Sequence, residues 1–489
     1  MTPRPRPWHA RAWASMALHT GVWLAVFAVL VLALARPWFA LAAELALLLL
    51  VVLVNNVKVR SLREPFVFQD YEYFTDTLLH PRLYMPFFGW RNVAAATMGF
   101  TVAVVVGLWL ESVPQNRWDW DGQFGALAVL AVLAGLLLVV GHRARLVVTF
   151  DPVRDVQELG LLASFWRYGW AEQIKPTLPS PFAGSGTEPP SRIAHADLPH
   201  LVAVQSESFF DPRSLFAGIR SDVLAQFDQL KQQAVAHGRL TVPAWGANTV
   251  RSEFAFLSGI DEDCLGVHRF NPYRKLAYSG VPTLASYLKQ LGYRTICVHP
   301  YPASFYRRSQ VYPLLGFDEF VDIRAFTQAQ RAGPYIGDVA VAQKIADILK
   351  SATNPVFVYA ITMENHGPLH LEAPINEEVA QFYTQKPPPG CDDLTIYLRH
   401  LRNADRMAAM LKDSLIASPR AASLCWYGDH VPIMDSAYKA LGEPDGHTDF
   451  LMWRSAASSP TPPRHLNAHD LAATWLRHLG LMPAVPGQR

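Results

Sequence analysis

The chain changes character near residue 150. Before that point long uncharged apolar runs recur, at Ala17–Ala35, Trp38–Val54, Val93–Leu110 and Gly125–Gly141. Each is long enough to cross a bilayer as a helix. Little more than Arg36-Pro37 separates the first two, which predicts a tight helical hairpin. No small-residue cleavage site follows the first run, so it reads as an anchor and not as a removed signal peptide. Beyond Asp151, short apolar runs alternate with amphipathic stretches. Strands are expected at Leu201–Gln205, Arg294–His299, Val356–Thr362 and Ala422–Tyr427. Helices are expected at Ser221–His237, Thr283–Leu291, Asp338–Ser351, Asp392–Ser414 and Ala468–Leu479. This alternation predicts a mainly parallel sheet covered on both faces.

Between the two regions, Asp151–Ile174 places Val156, Leu159, Leu162, Phe165 and Trp166 near one face, as a juxtamembrane helix at the interface would. Pro176–Ser191, dense in Pro, Gly and Ser, reads as a linker. The organisation expected is a transmembrane domain over 1–150, a juxtamembrane helix and linker over 151–195, and a catalytic domain over 196–489. Within the first part, the stretch from Asn55 to Gly89 is rich in aromatic and basic residues, and Pro65, Pro81 and Pro86 break any helix. It suits an interfacial or re-entrant element, or a solvated connecting loop. Arg4, Arg6 and Arg11, with Lys58, Arg60 and Arg63, mark cytoplasmic segments. With four spans, that rule places the C-terminal domain in the cytoplasm.

Composition adds exclusions. A net charge of +2 over 489 residues gives no reason to expect nucleic acid as the main partner. The four cysteines, Cys264, Cys297, Cys391 and Cys425, form no C-x-x-C pair, which excludes a zinc ribbon or dithiol redox motif. Cys297 and Cys425 lie in apolar runs and are expected to be buried. A Cys264–Cys391 disulfide is open.

In a parallel sheet, functional residues belong at the carboxyl ends of strands. Here those ends lead into Ser206-Glu207-Ser208, Pro300-Tyr301, Glu364-Asn365-His366-Gly367 and Gly428-Asp429-His430. The stretch Ala244–Gly259 reads as a small-residue turn delivering Thr249 to a helix start, followed by an apolar period at Val250, Phe254 and Leu257. Unpaired N–H groups at such a terminus suit an anionic group; the plainer reading makes Thr249 an N-cap. Glu207, Asp429 and His430 offer oxygen and nitrogen ligands for one divalent cation, with Mn²⁺, Zn²⁺ and Mg²⁺ all tolerated. Such a cation would make the Thr249 hydroxyl an accessible nucleophile. His366 would protonate a leaving alkoxide or steady a phosphate oxygen. Each residue alone has a bland reading as a cap, a solvated carboxylate or a loop histidine, and their convergence on predicted strand ends is what favours a site.

Val202-Ala-Val-Gln-Ser-Glu-Ser208, Gly246-x-x-Thr249-x-x-x-Glu253-Phe254 and Tyr427-Gly-Asp-His-Val-Pro432 resemble the sulfatase-type domain of the lipoteichoic acid synthase family, within the alkaline phosphatase superfamily. Pro282–Arg294 and Gly316–Phe320 are similar too. The loop Asn55…Lys58…Glu64-Pro65…Asp70, with His80-Pro-Arg-Leu-Tyr84, resembles phosphoglycerol transferase I. The resemblance implies an N-terminal α-helical transmembrane domain followed by an α/β sulfatase-like domain with a mainly parallel central sheet. It implies that Glu207, Thr249, Asp429 and His430 hold one divalent metal, most readily Mn²⁺, with Thr249 as nucleophile. It places His366 and Arg308 on the substrate, with Arg307 as the neighbouring alternative. Tyr306 stands where lipoteichoic acid synthases have a tryptophan, and His447 is a looser candidate near the site.

The activity implied is transfer of glycerol phosphate from phosphatidylglycerol, through a phosphothreonine, to a glycan or polyglycerolphosphate acceptor. It implies a multi-pass protein of the bacterial inner membrane with its catalytic domain periplasmic or extracellular, opposite to the side given by the charge rule. Competing readings are a phosphoethanolamine transferase, a sulfatase or phosphodiesterase hydrolase, and a non-catalytic lipid-binding envelope scaffold. The segment Ala247–Phe254 lacks the Cys/Ser-x-Pro-x-Arg pattern of formylglycine sulfatases.

Overall fold

The computed structural model describes residues 1–71, 89–112, 117–183, 195–456 and 461–483. The chain forms two compact units, Met1–Lys175 and Pro176–Arg489. In the first, the apolar runs become helices Trp13–Leu34, Pro37–Leu62, Trp90–Leu110 and Arg117–Arg143. Among the described residues, three segments are long and apolar enough to cross a membrane: Trp13–Leu34, Pro37–Leu62 and Asp121–Arg143. Thr97–Leu110 is a shorter apolar helix. Helices Trp13–Leu34 and Arg117–Arg143 approach closely because Gly141 carries no side chain. A Cβ there would stand 2.9 Å from both the Ala14 carbonyl oxygen and the Leu18 side chain.

Near the end of the second helix, Lys58 Nζ donates to Glu64 (2.7 Å), Asp70 (2.6 Å) and the Pro65 carbonyl (3.1 Å). Asn55 Oδ1 accepts from the Phe66 N–H at 3.0 Å. These interactions tie the loop back onto the helix. The remainder of the expected interfacial stretch, including His80–Tyr84, lies outside the described residues. The single amphipathic helix expected over 151–174 is two, Pro152–Leu159 and Leu161–Ala171. Gly160, at φ +80°, breaks it, and the Asp151 carboxylate caps the first half by accepting from the Val153 and Arg154 N–H groups.

Part of the expected linker is docked on the second unit. Ser180 Oγ donates to the carbonyls of Ser258 (2.7 Å) and Pro282 (3.0 Å), and Phe182 is buried. The unit is built on strands β1 (His200–Ser206), β2 (Ala236–Thr241), β3 (Arg294–Val298), β4 (Glu319–Val321), β7 (Val356–Ile361), β8 (Ala422–Gly428), β9 (Thr448–Arg454) and β10 (Arg464–Asn467), with a small hairpin of β5 (Arg331–Ala332) and β6 (Tyr335–Ile336). The main sheet has the order β10-β2-β9-β8-β1-β7-β3-β4. Only β9 among these strands runs against its neighbours. Four of the strands were expected. The expected helix Ser221–His237 is corrected: it stops at Gln232, and Ala236–Thr241 enters the sheet. The period-2 burial of Ala236, Gly238 and Leu240 overrides helical continuation. Short, polar β10 carries no strand pattern of its own.

Residues alternate across β1, so Val202 and Val204 pack into one core, and Leu201 and Ala203 into the other. Helices Asp338–Ser351 and Asp392–Ala417 cover the first face. Helices Thr249–Ser258 and Ala468–His478 contribute to the second. All four cysteines are free, with Cys297, Cys391 and Cys425 buried, so a Cys264–Cys391 bridge is not formed. The register aligns the ends of the three central strands: Gln205 lies opposite both Ile361 and Tyr427, and Ser206 opposite Gly428. That alignment sets the site.

Candidate metal centre and substrate site

β1 ends in a sharp turn at Ser208, whose φ of +53° is uncommon for a residue with a side chain. The turn lets the Ser208 N–H donate to Asp429 Oδ1 at 2.8 Å, while its hydroxyl donates to Glu207 Oε1 at 3.0 Å. The Glu207 N–H is held by Thr362 Oγ1 at 3.0 Å, at the end of β7. Next to it, β8 runs into Gly428, where a Cβ would collide with the Phe209 carbonyl oxygen. Three neighbouring strands thus bring Glu207, Asp429 and His430 together, all buried, with one potential ligand atom from each within 4.8 Å of the others.

The unsatisfied atoms define what this cluster can hold. His430 Nδ1 donates to the Val431 carbonyl at 3.1 Å, which leaves the Nε2 lone pair available. That Nε2 lies 3.4 Å from Asp429 Oδ2 and 3.6 Å from Glu207 Oε1, beyond an ordinary hydrogen bond. Asp429 Oδ2 and His430 Nε2 are both buried without a hydrogen-bond partner. Unpaired buried acceptors of this kind are costly unless something positive lies between them. Burial, then the neighbouring Asp429, push the Glu207 carboxyl up to about 8. Two carboxylates and an imidazole nitrogen facing one buried point fit a divalent cation.

Thr249 is the first residue of helix Thr249–Ser258 and is 8% exposed. The N-cap position belongs to Asn248, at φ +64°, so the plain N-cap reading of Thr249 does not hold. The turn is fixed to the metal cluster on both sides of Thr249. The Gly246 N–H donates to the Val431 carbonyl at 3.1 Å, and Ser252 Oγ donates to the Asp429 carbonyl at 2.6 Å. All ten residues of this helix are buried, so it is a core element and not an amphipathic one.

Arg308 is 1% exposed and lies in a buried network. Its guanidinium pairs with Glu253, four residues along the helix from Thr249, and donates to His299 Nε2 at 3.2 Å. His299 Nδ1 donates in turn to the Ile361 carbonyl at 3.1 Å. Burial, then Arg308, hold His299 well below its usual range, so it is neutral. The Arg308 charge is felt at both Glu207 and His366. Tyr306 places its ring 5.1 Å from the guanidinium carbon, while Arg307 points to the exposed side.

His366 follows β7. Its Nδ1 donates to the Gly367 carbonyl at 2.6 Å and lies 3.3 Å from the Tyr335 hydroxyl. Burial lowers its pKa, with Asp429 acting in the opposite sense. His447 precedes β9 on the same sheet edge, but its ring faces Asp445 at 3.3 Å and packs edge-on to His465. The sequence alone assigned no role to Ser208, His299 or Tyr335. The first two lie at strand ends, the signal that found their neighbours. Tyr335 sits on a hairpin with no motif to mark it.

The sulfatase family model matches residues 199–481. The capsular polysaccharide biosynthesis protein RkpI of Rhizobium meliloti is 28% identical over 471 residues, covering 91% of this chain and 84% of RkpI. A putative cyclic beta-1,2-glucan modification protein of the same organism is 25% identical over 260 residues, covering 53% of this chain and 40% of that protein. Among solved structures, the Streptococcus pyogenes phosphoglycerol transferase GacH in complex with sn-glycerol-1-phosphate is similar with a TM-score of 0.49 and 22% identity, covering 59% of this chain and 76% of GacH.

Proposed function

This chain belongs to the sulfatase family, and from that premise we propose that it is a membrane-anchored, metal-dependent phosphoglycerol transferase. It moves the glycerol phosphate head group of phosphatidylglycerol, through a phosphothreonine at Thr249, to a cell-envelope glycan or polyglycerolphosphate acceptor. The observation that supports this most is the fastening of Thr249, by Gly246 and Ser252, against a buried cluster with two unpartnered ligand atoms.

Glu207, Asp429 and His430, with the Thr249 hydroxyl, are the residues that would hold the cation. A bound divalent cation, Mn²⁺ by preference, lowers the pKa of a coordinated hydroxyl and screens phosphate charge. In the first step Thr249 Oγ bonds to phosphorus, the bond to the diacylglycerol oxygen breaks, and the threonine proton ends on that oxygen. In the second, an acceptor hydroxyl oxygen bonds to phosphorus, and Thr249 Oγ leaves and regains a proton. His366 is neutral through burial and has Nδ1 committed to Gly367, so it takes the acceptor proton at Nε2. Arg308, backed by Tyr306, orients the head group, and His447 belongs to the outer rim of the substrate site.

The names of the two Rhizobium relatives support an envelope glycan over polyglycerolphosphate as acceptor. Apolar helices in the same chain raise the effective concentration of lipid substrate. A phosphatidylglycerol donor and an envelope-glycan acceptor support a catalytic unit on the periplasmic or extracellular side of the inner membrane.

Peptide mass spectrometry after incubation with mixed phosphatidylglycerol and phosphatidylethanolamine tests the donor. A glycerol phosphate adduct on the Thr249 peptide supports the proposal. A phosphoethanolamine adduct moves the protein to the ethanolamine transferases, and no adduct from either lipid contradicts the proposed intermediate.

A further inference from the structure

Away from the metal cluster lies a second buried arrangement of charge. His400, on helix Asp392–Ala417, is 1% exposed. Its Nδ1 is 2.9 Å from Glu364 Oε1, and its Nε2 is 2.8 Å from Glu372 Oε1. Two carboxylate oxygens are acceptors only, so both ring nitrogens carry protons. Glu364 and Glu372 are the two ends of the segment that carries His366. Its backbone bonds are local: His366 N–H to the Met363 carbonyl, Leu371 N–H to Pro368 and Glu372 N–H to Leu369.

We propose that His400 is a positioning residue for His366, its doubly donating ring stapling together the two ends of the 364–372 segment. The neighbours reinforce the staple. Asn403 Nδ2 donates to Glu364 Oε1 at 2.6 Å, and the Asp338 N–H donates to Glu364 Oε2 at 2.7 Å. Arg399 donates to Glu372 Oε2 at 2.8 Å and to Glu378. The β5–β6 hairpin closes the other side, with Tyr335 against His366 and Gly333 so near Glu372 that a Cβ would stand 2.7 Å from its carboxylate. Burial opposes a charge on His400, but its hydrogen bonds to Glu364 and Glu372 outweigh that and raise its pKa to about 9.

The catalytic consequence rests on the transferase reading, so the test has two arms in the full-length protein. In the first, hydrogen exchange of residues 366–372 is compared between wild type and His400→Gln. Faster exchange confined to this segment supports the staple, and unchanged exchange overturns it, whatever the reaction. In the second, diacylglycerol release from fluorescent phosphatidylglycerol is measured for His400→Gln alone and in a His366→Ala background. The single variant is expected to lose about 10- to 100-fold, the scale of a misplaced catalytic group, and the double variant no more than His366→Ala itself. The same added loss in both backgrounds, or no loss in either, overturns the positioning role. Should His400→Gln fail to fold, Glu372→Ala removes the outer half of the staple while leaving the buried Glu364–His400 contact. Silence of wild type in the second arm would refute the transferase reading and leave the exchange arm to decide the staple.

Discussion

Glu253 and Arg308 form an ion pair buried at both ends, which joins the helix that begins at Thr249 to the arginine assigned to the substrate. The Glu253 carboxylate also accepts the hydroxyls of Tyr273 and Tyr312, each at 2.7 Å. Arg308 Nη1 also donates to His299 Nε2 at 3.2 Å. Two charges in so dry a place are held only by each other and these hydrogen bonds. Removing one leaves the other unpaired, at a cost of about 3–5 kcal/mol. Glu253→Gln is therefore expected to lower the melting temperature of the protein, and an unchanged melting curve would contradict the buried pair.

The metal cluster predicts linkage between binding and stability. Mn²⁺ added to wild-type protein stripped of metal is expected to raise its melting temperature, because a ligand held only by the native state stabilises it. Asp429→Ala removes one of the two unpartnered ligand atoms and should abolish that rise. A Mn²⁺-dependent rise of equal size in Asp429→Ala would place the cation elsewhere.

Gly428 makes a sharper geometric demand. Its Cα faces the Phe209 carbonyl with no room for a methyl group, and Asp429 is the next residue. Gly428→Ala must push β8 away from the turn after β1, costing about 1–3 kcal/mol by overpacking. The expected outcome is both a lower melting temperature and weaker Mn²⁺ binding in calorimetry.

His400 predicts a pH dependence with a definite sign. Its ordinary value of 6.5 is raised to about 9 in the folded protein by the bonds to Glu364 and Glu372, against burial. A raised histidine contributes stability that is fully present below 6.5 and is lost as pH rises towards 9. The groups facing it are Glu364, Glu372 and Asp338, and burial followed by Glu364 holds Asp338 well above its usual range. Wild type should lose more stability between pH 6.5 and 9 than His400→Gln, as read from paired melting curves.

The convergence of Glu207, Asp429 and His430 was legible in the sequence, for a physical reason. A parallel sheet gathers strand ends at one edge, so the three apolar runs followed by Glu207, by His366 and by Asp429-His430 could be set side by side without knowing strand order. What stayed hidden depends on contacts distant in sequence. Ala236-His237 looked like the end of a helix because the strand character of Ala236–Thr241 comes from pairing with β9, more than two hundred residues away. His400 sits mid-helix among ordinary core positions, and only the fold brings Glu364 and Glu372 to its two nitrogens. Asn248 as N-cap depends on a left-handed backbone that Asn tolerates but does not announce.

The most direct measurement is release of labelled diacylglycerol from fluorescent phosphatidylglycerol by the detergent-solubilised full-length protein with Mn²⁺, beside Thr249→Ala. Release by wild type and none by the variant is the result expected of a threonine nucleophile at this cluster. Equal release by both, or release from neither while Mn²⁺ still raises the melting temperature, would contradict it.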